Sequence, residues 1–295
     1  MRIAIIINPV SGRGRRGPVG EERVRLARGL TTRAGVEAEI QVTRAAGHGV
    51  ELSRGFRNAG YDLIAAWGGD GTVNEVAGPL IGSPAVLAIV PSGSGDGLAR
   101  GLGLPALPER ALAAALSGES RPMDVGFIGT RHFLNIAGVG FDAAVAVGFA
   151  RSGRYGTISY AKEAFGRLWS YRCASYQLAT DGQQFTGPLF LVAFANGSQY
   201  GNGLVIAPDA DPCDGLLNGI VVNEGSAGSL LWRARRLFVN KLAPARGVRR
   251  LAVRSASIEG RTLLCHVDGE PFEASGRLDV RVEPSALRVA GLGRC

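Results

Sequence analysis

The chain opens on Arg2-Ile3-Ala4-Ile5-Ile6-Ile7, an apolar run stopped by Asn8-Pro9. Apolar residues at both parities mark a strand covered on both faces, the signature of a parallel sheet between helix layers. Up to Asp124 such runs alternate with stretches of helical period. Strands are predicted over residues 2–7, 36–43, 62–67 and 86–90, and helices over 21–33, 49–58, 74–80 and 109–116. After Asp124 the pattern changes to short strand-like runs separated by turn residues, at 133–137, 176–180, 189–196, 219–222, 251–257, 263–267 and 278–283. Helical insertions are predicted at 158–171 and 229–242. The expected fold is an N-terminal α/β domain with a parallel sheet, residues 1–124, and a mainly β, sandwich-like domain, residues 125–283. The segment 284–295 is read as a tail returning to the first domain. No repeat or low-complexity linker interrupts the chain.

Composition adds less. The 295 residues carry a formal net charge of +8, nearly all from arginine, since only Lys162 and Lys241 are lysines. Such a charge follows either from codon usage or from a need to meet anionic surfaces. No basic and aromatic stripe points to nucleic acid, so a nucleic-acid partner is not expected. The four cysteines, at 173, 213, 265 and 295, form no CxxC and no Cys/His ligand spacing. They read as reduced thiols of a cytoplasmic protein, and a zinc site is not expected. No apolar run reaches the length of a membrane span.

The chemistry is concentrated in three glycine-rich turns, each after a predicted strand. The sharpest is Gly68-Gly69-Asp70-Gly71-Thr72-Val73-Asn74-Glu75. Glycine permits positive φ and close backbone approach, and the N–H groups of such a turn and of the helix behind it can hold phosphate oxygens. Asp70 repels phosphate and suits a magnesium ion instead. The second turn is Pro91-Ser92-Gly93-Ser94-Gly95-Asp96-Gly97, and the third Asn8-Pro9-Val10-Ser11-Gly12-Arg13-Gly14. Three such turns at carboxyl ends of parallel strands point to one ligand crevice. The P-loop signature and the dinucleotide-binding fingerprint are both absent.

These turns resemble the catalytic domain of diacylglycerol and sphingosine kinases, with the bacterial diacylglycerol kinase-like lipid kinases as the best match. The resemblance continues through Asn135-Ile136-Ala137-Gly138-Val139-Gly140-Phe141-Asp142, the segment 208–216 with Asp214-Gly215-Leu216, and His266-Val267-Asp268-Gly269-Glu270. It implies the NAD kinase/diacylglycerol kinase-like fold, and transfer of the γ-phosphate of magnesium-ATP to a lipid hydroxyl at a membrane surface. Asn8, Pro9, Val10, Ser11, Gly12, Thr43, Gly68, Gly69, Asp70, Gly71, Thr72, Val73, Asn74 and Ser94 would line the ATP site, with Asp70 also catalytic. Asp214 would hold a structural Mg2+ by its side chain, and Asp211 and Leu216 by their carbonyls. Glu270, beside Asp268, would be the base. By itself Asp268-Gly269 is an ordinary type I′ hairpin turn, so these roles rest on the resemblance. The resemblance further implies a protein peripheral to the membrane, and a homodimer is left open.

Gly93-Ser94-Gly95-Asp96-Gly97 departs from the Asn-Asp form of many diacylglycerol kinase-like chains and leans toward the sphingosine kinase form. The acceptor therefore stays open among diacylglycerol, sphingoid bases and other lipid alcohols. Two other readings stand beside this one: a kinase for a soluble acceptor, of NAD kinase type, and a nucleotide-binding regulator without turnover. His266 reads as a strand residue packed beside a turn. The basic segment 230–242 reads as a domain helix with solvated arginines, or as a membrane contact. Arg13, Arg15 and Arg16 read as a loop.

Overall fold

A computed structural model describes residues 1–12, 19–117, 119–152, 157–226, 228–230 and 247–291. The cluster of Arg13, Arg15 and Arg16, nearly all of the basic segment 230–242, and residues 292–295 of the tail lie outside the described residues. The chain divides into two compact units, Met1–Met123 with Ser285–Cys295, and Asp124–Pro284.

In the first unit, strands β1 (Ile3–Ile7), β2 (Ala38–Val42), β3 (Leu63–Gly68) and β4 (Val86–Pro91) pair in parallel in the order β2-β1-β3-β4. The register sets Ile3 beside both Ala38 and Leu63, and Leu63 beside Val86. Helices α1 (Val19–Arg33), α2 (His48–Asn58), α3 (Asp70–Ala77), α4 (Gly97–Gly101) and α5 (Pro108–Leu116) connect or follow them. Ile3, Ile5, Ile7, Ala65 and Trp67 pack with Ala27 of α1 and Leu112 of α5. Ala4, Ile6, Ile64 and Ala66, of opposite parity, are equally buried. Both faces are thus covered, which is why these strands read as unbroken apolar runs. The helix expected at 74–80 begins earlier, at Asp70, and ends in a 3-10 turn over Gly78–Leu80.

The second unit is antiparallel. Strand β5 (Ser120–Ile128) forms a hairpin with β6 (Arg131–Phe133). The others are β7 (Ile136–Gly140), β8 (Ala174–Thr180), β9 (Gln183–Ala195), β10 (Leu217–Asn223), β11 (Val248–Val253), β12 (Ser255–Val267) and β13 (Glu270–Ala290). The long strands β9 and β12 are bridged at one end by β7 and at the other by β8. Phe133, Val139, Leu178, Val192, Phe194, Ile258 and Leu263 fill the core so enclosed. The α/β and mainly β, sandwich-like halves are those expected from the pattern.

Helix α6 (Phe141–Ser152) was not expected, because Ala143, Ala144, Val145 and Ala146 are all buried and leave no polar face to set a period. Helix α7 (Thr157–Leu168) follows it. The cysteine reading needs one correction: Cys173 and Cys265 are free thiols, but Cys213 is disulfide-bonded. Burial pushes the Cys173 and Cys265 thiols up, to about 11 and about 12, so both are poor nucleophiles at neutral pH.

Candidate functional site

In the first unit the three glycine-rich turns meet at the carboxyl ends of β1, β3 and β4. Asn8 ties two of them: its side-chain amide donates to Thr72 Oγ1 at 2.8 Å, and its Oδ1 accepts the Val10 N–H at 3.0 Å. Ser11 and Ser92 share a hydroxyl hydrogen bond of 2.8 Å, linking the turn after β1 to the turn after β4. The Ser92 N–H donates to Gly68 O at 2.9 Å. Glycine is needed where these turns touch. A Cβ on Gly93 would lie 2.7 Å from Gly69 Cα, and one on Gly12, at φ +78°, would collide with the Ser92 carbonyl. Gly69, extended, offers the N-terminus of α3 no side-chain cap, and the first N–H groups of a helix make an anion-binding end. The cradle is lined by backbone that approaches closely, which fits phosphate groups. Val73 is buried with its N–H on Gly69 O, Asn74 is half-buried, Ser94 and Val10 are exposed, and Thr43 lies at the end of β2 with its N–H on Ile7 O.

Asp70 is engaged from an unexpected side. Its carboxylate accepts the Gly97 N–H at 2.9 Å and the Leu98 N–H at 3.1 Å, capping the short helix α4. Glu75 accepts from Gly47 and Gly49 and so caps α2. Asp96, at φ +46°, accepts the Gly93 N–H at 2.8 Å and closes its own turn. Burial raises its pKa, against the Gly93 hydrogen bond and the charge of Arg100. Arg23 donates to the carbonyls of Asn8 and Ser11 and to Ser11 Oγ at 2.5–2.8 Å. Sequence reading passed over Arg23, one arginine among many on a solvent-facing helix.

In the second unit, Asp211, Asp214 and Leu216 share one tight loop. Asp214 Oδ1 accepts the Leu216 N–H at 2.9 Å, and Asp211 Oδ1 accepts the Cys213 N–H at 3.0 Å. Asp124, 1% exposed, accepts the Gly215 N–H at 2.6 Å. The pKa of Asp214 is raised, first by partial burial and then by the charges of Asp211 and Asp124. An oxygen-rich loop of crowded negative charge fits a hard cation such as magnesium. Among the described residues no group of three or more His, Cys, Asp or Glu side chains could hold a metal ion. The expected ligand set has one side chain and two carbonyls, so it is of a different kind.

Asp268 and Gly269 are the corner of the β12–β13 hairpin, both at positive φ (49° and 87°). Such a corner is a type I′ turn. The Asp268 carboxylate accepts three backbone N–H groups, from Leu134, Asn135 and Ile136, at 2.9–3.0 Å. Its own N–H donates to Ile136 O at 2.9 Å. Glu270 is exposed. Behind the turn lies a buried group: His266 Nε2 is 3.0 Å from Asp142 Oδ2, which also accepts the Tyr200 hydroxyl at 3.0 Å. The Gly269 N–H donates to His266 Nδ1 at 3.3 Å. Asp142 stands in a segment singled out in the sequence, but its partners are 124 and 58 residues away and carry no local signal.

A parallel α/β unit with three glycine turns at its strand ends, and an antiparallel unit carrying an acidic hairpin, define a kinase of the diacylglycerol kinase class. The comparisons agree. The model of the diacylglycerol kinase catalytic domain matches residues 2–128, and that of the YegS C-terminal NAD kinase beta sandwich-like domain matches residues 135–291. A "Probable lipid kinase YegS-like" of Pseudomonas aeruginosa is 33% identical over 92% of this chain and 90% of its own. A diacylglycerol kinase of Bacillus subtilis is 30% identical over 78% of this chain and 76% of its own. A solved structure of a diacylglycerol kinase from Bacillus anthracis shares the fold, with a TM-score of 0.72 over 98% of this chain and 96% of its own at 18% identity. The chain belongs to the YegS-like lipid kinase family and is a phosphotransferase.

Proposed function

We propose that this enzyme transfers the γ-phosphate of magnesium-ATP to the hydroxyl of a lipid, a diacylglycerol or a sphingoid lipid. The observation that carries the reading is the meeting of three glycine-rich turns at adjacent strand ends, held by Asn8–Thr72 and Ser11–Ser92. In this reading the first unit is the nucleotide-binding domain and the second the substrate domain. The backbone of 8–12, 68–74 and Ser94, with Thr43 at the edge, holds the nucleotide. Asp70 orders the turn that faces the phosphates. Asp214, with the carbonyls of Asp211 and Leu216, holds a structural magnesium ion. Magnesium carried with the ATP would neutralise charge on the transferring phosphate. Glu270 accepts the proton of the lipid hydroxyl, and Asp268, whose carboxylate is occupied by three N–H groups, fixes the turn that presents Glu270.

Among the described residues no helix is long and apolar enough to cross a membrane. The lipid must therefore be met at a surface, and α7 offers one. Phe165 and Trp169 are 55% and 59% exposed on one side of it, edge to face, with exposed Lys162 and Arg172 nearby. Aromatic side chains with flanking cations suit an anionic bilayer interface. In this reading the enzyme is cytoplasmic and peripheral to the membrane. The test is a screen of diacylglycerol, sphingoid base, ceramide and NAD as acceptors with labelled magnesium-ATP. Label in a lipid is the expected result; label in NAD alone, or none, overturns the reading.

A further inference from the structure

A buried histidine–carboxylate pair of the second unit stands beside the hairpin corner. His266 is 2% exposed, and the Asp142 side chain 5%. Around the ring the hydrogen-bond directions are fixed. The Gly269 N–H can only donate, so His266 Nδ1, its acceptor, carries no proton. The proton of the neutral ring is then on Nε2, where it points at Asp142 Oδ2. Asp142 is oriented in turn by the Tyr200 hydroxyl and by the Ala143 N–H, which donates to Oδ1 at 2.8 Å. Glycine is needed opposite the pair: a Cβ on Gly138, the residue opposite on β7, would lie 2.7 Å from His266 Nε2 and collide with Asp142.

We propose that His266 is a positioning residue that holds the Gly269 amide, and through it the Glu270 carboxylate. The proposal rests on the reading of Glu270 as the base. Without the Nδ1 acceptor the corner loses one of its anchors, while Asp268 keeps the other.

The groups facing the ring are few. Helix α6 brings Asp142, the segment after β9 brings Tyr200, and β7 brings only Gly138. The neighbouring Cys265 thiol, pushed up to about 12, stays neutral. The field of Asp142 also reaches the phenols of Tyr171 and Tyr176, which burial keeps protonated. Among the described residues, Asp142 is the carboxylate in contact with the ring.

Two substitutions separate the two ends of the ring. His266→Gln can keep a donor toward Asp142 and loses the acceptor for Gly269. His266→Asn can keep an acceptor near Nδ1 and loses the reach to Asp142. Turnover is measured on the lipid that the acceptor screen identifies, with Glu270→Gln alongside. For His266→Gln, kcat should fall on the order of 10- to 100-fold with KM for ATP unchanged, as for a small misplacement of a catalytic group. His266→Asn should recover most of that loss. In the wild type, imidazole 15N shifts should show a bare Nδ1 at neutral pH, a reading that needs neither substrate nor variant. A protonated Nδ1 at neutral pH, wild-type kcat in His266→Gln, or no recovery in His266→Asn overturns the proposal. Full turnover by Glu270→Gln instead overturns the base reading beneath it.

Discussion

Asp268 and Glu270 are two residues apart and face opposite demands. The Asp268 carboxylate accepts three backbone N–H groups and is held in place by them. In the proposed reading Glu270, exposed on the following strand, is the proton acceptor. Glu270→Gln should therefore lower turnover on the order of 100- to 10,000-fold with nucleotide affinity unchanged, read by steady-state rates beside an ATP titration. Asp268→Asn should act through the fold instead. Turning an acceptor into a partial donor against three N–H groups costs about 1–3 kcal/mol, so its melting temperature should fall where that of Glu270→Gln does not. At this scale the sequence singled out the side chains proposed for the chemistry but not what they touch. Asp70 could be placed at a strand end from its neighbours, whereas its hold on Gly97 and Leu98 depends on a five-residue helix too short to leave a period.

Elements were legible where one face or both faces were buried. The run Ile3–Ile7 and the strand Leu63–Gly68 announce themselves because every side chain is covered. Helix α6 was hidden for the same reason, as burial all round erases the period of a helix. Helix α7 differs in leaving Phe165 and Trp169 outside, while the Glu163–Arg167 pair, 2.6 Å apart, steadies its polar side. If α7 meets lipid, Phe165→Ser with Trp169→Ser should weaken binding to anionic vesicles by roughly tenfold or more, since burying either ring is worth up to a few kcal/mol. Sedimentation with vesicles measures the loss, and turnover on a dispersed short-chain acceptor should stay near wild type. Equal sedimentation of both proteins would remove α7 from the interface.

For the molecule as a whole, the acidic loop at 211–216 is where the proposed ion would couple to folding. Asp214 ionises against the charges of Asp211 and Asp124, an electrostatic cost in the folded chain that a bound cation would relieve. Magnesium should raise the melting temperature of the wild type at neutral pH, and Asp214→Ala should lose that response. Parallel melting curves with and without magnesium decide it; the same rise in both proteins would place the ion elsewhere. The division of the chain has its own consequence. Strand β13 runs from Glu270 to Ala290, and its last residues, Arg288 and Val289, pair in parallel with Val86 and Leu87 of β4. One side of β4 in the first unit is therefore covered by residues made after the whole second unit. During synthesis that strand edge waits, bare and ready to pair with a stranger, until the chain comes back to it.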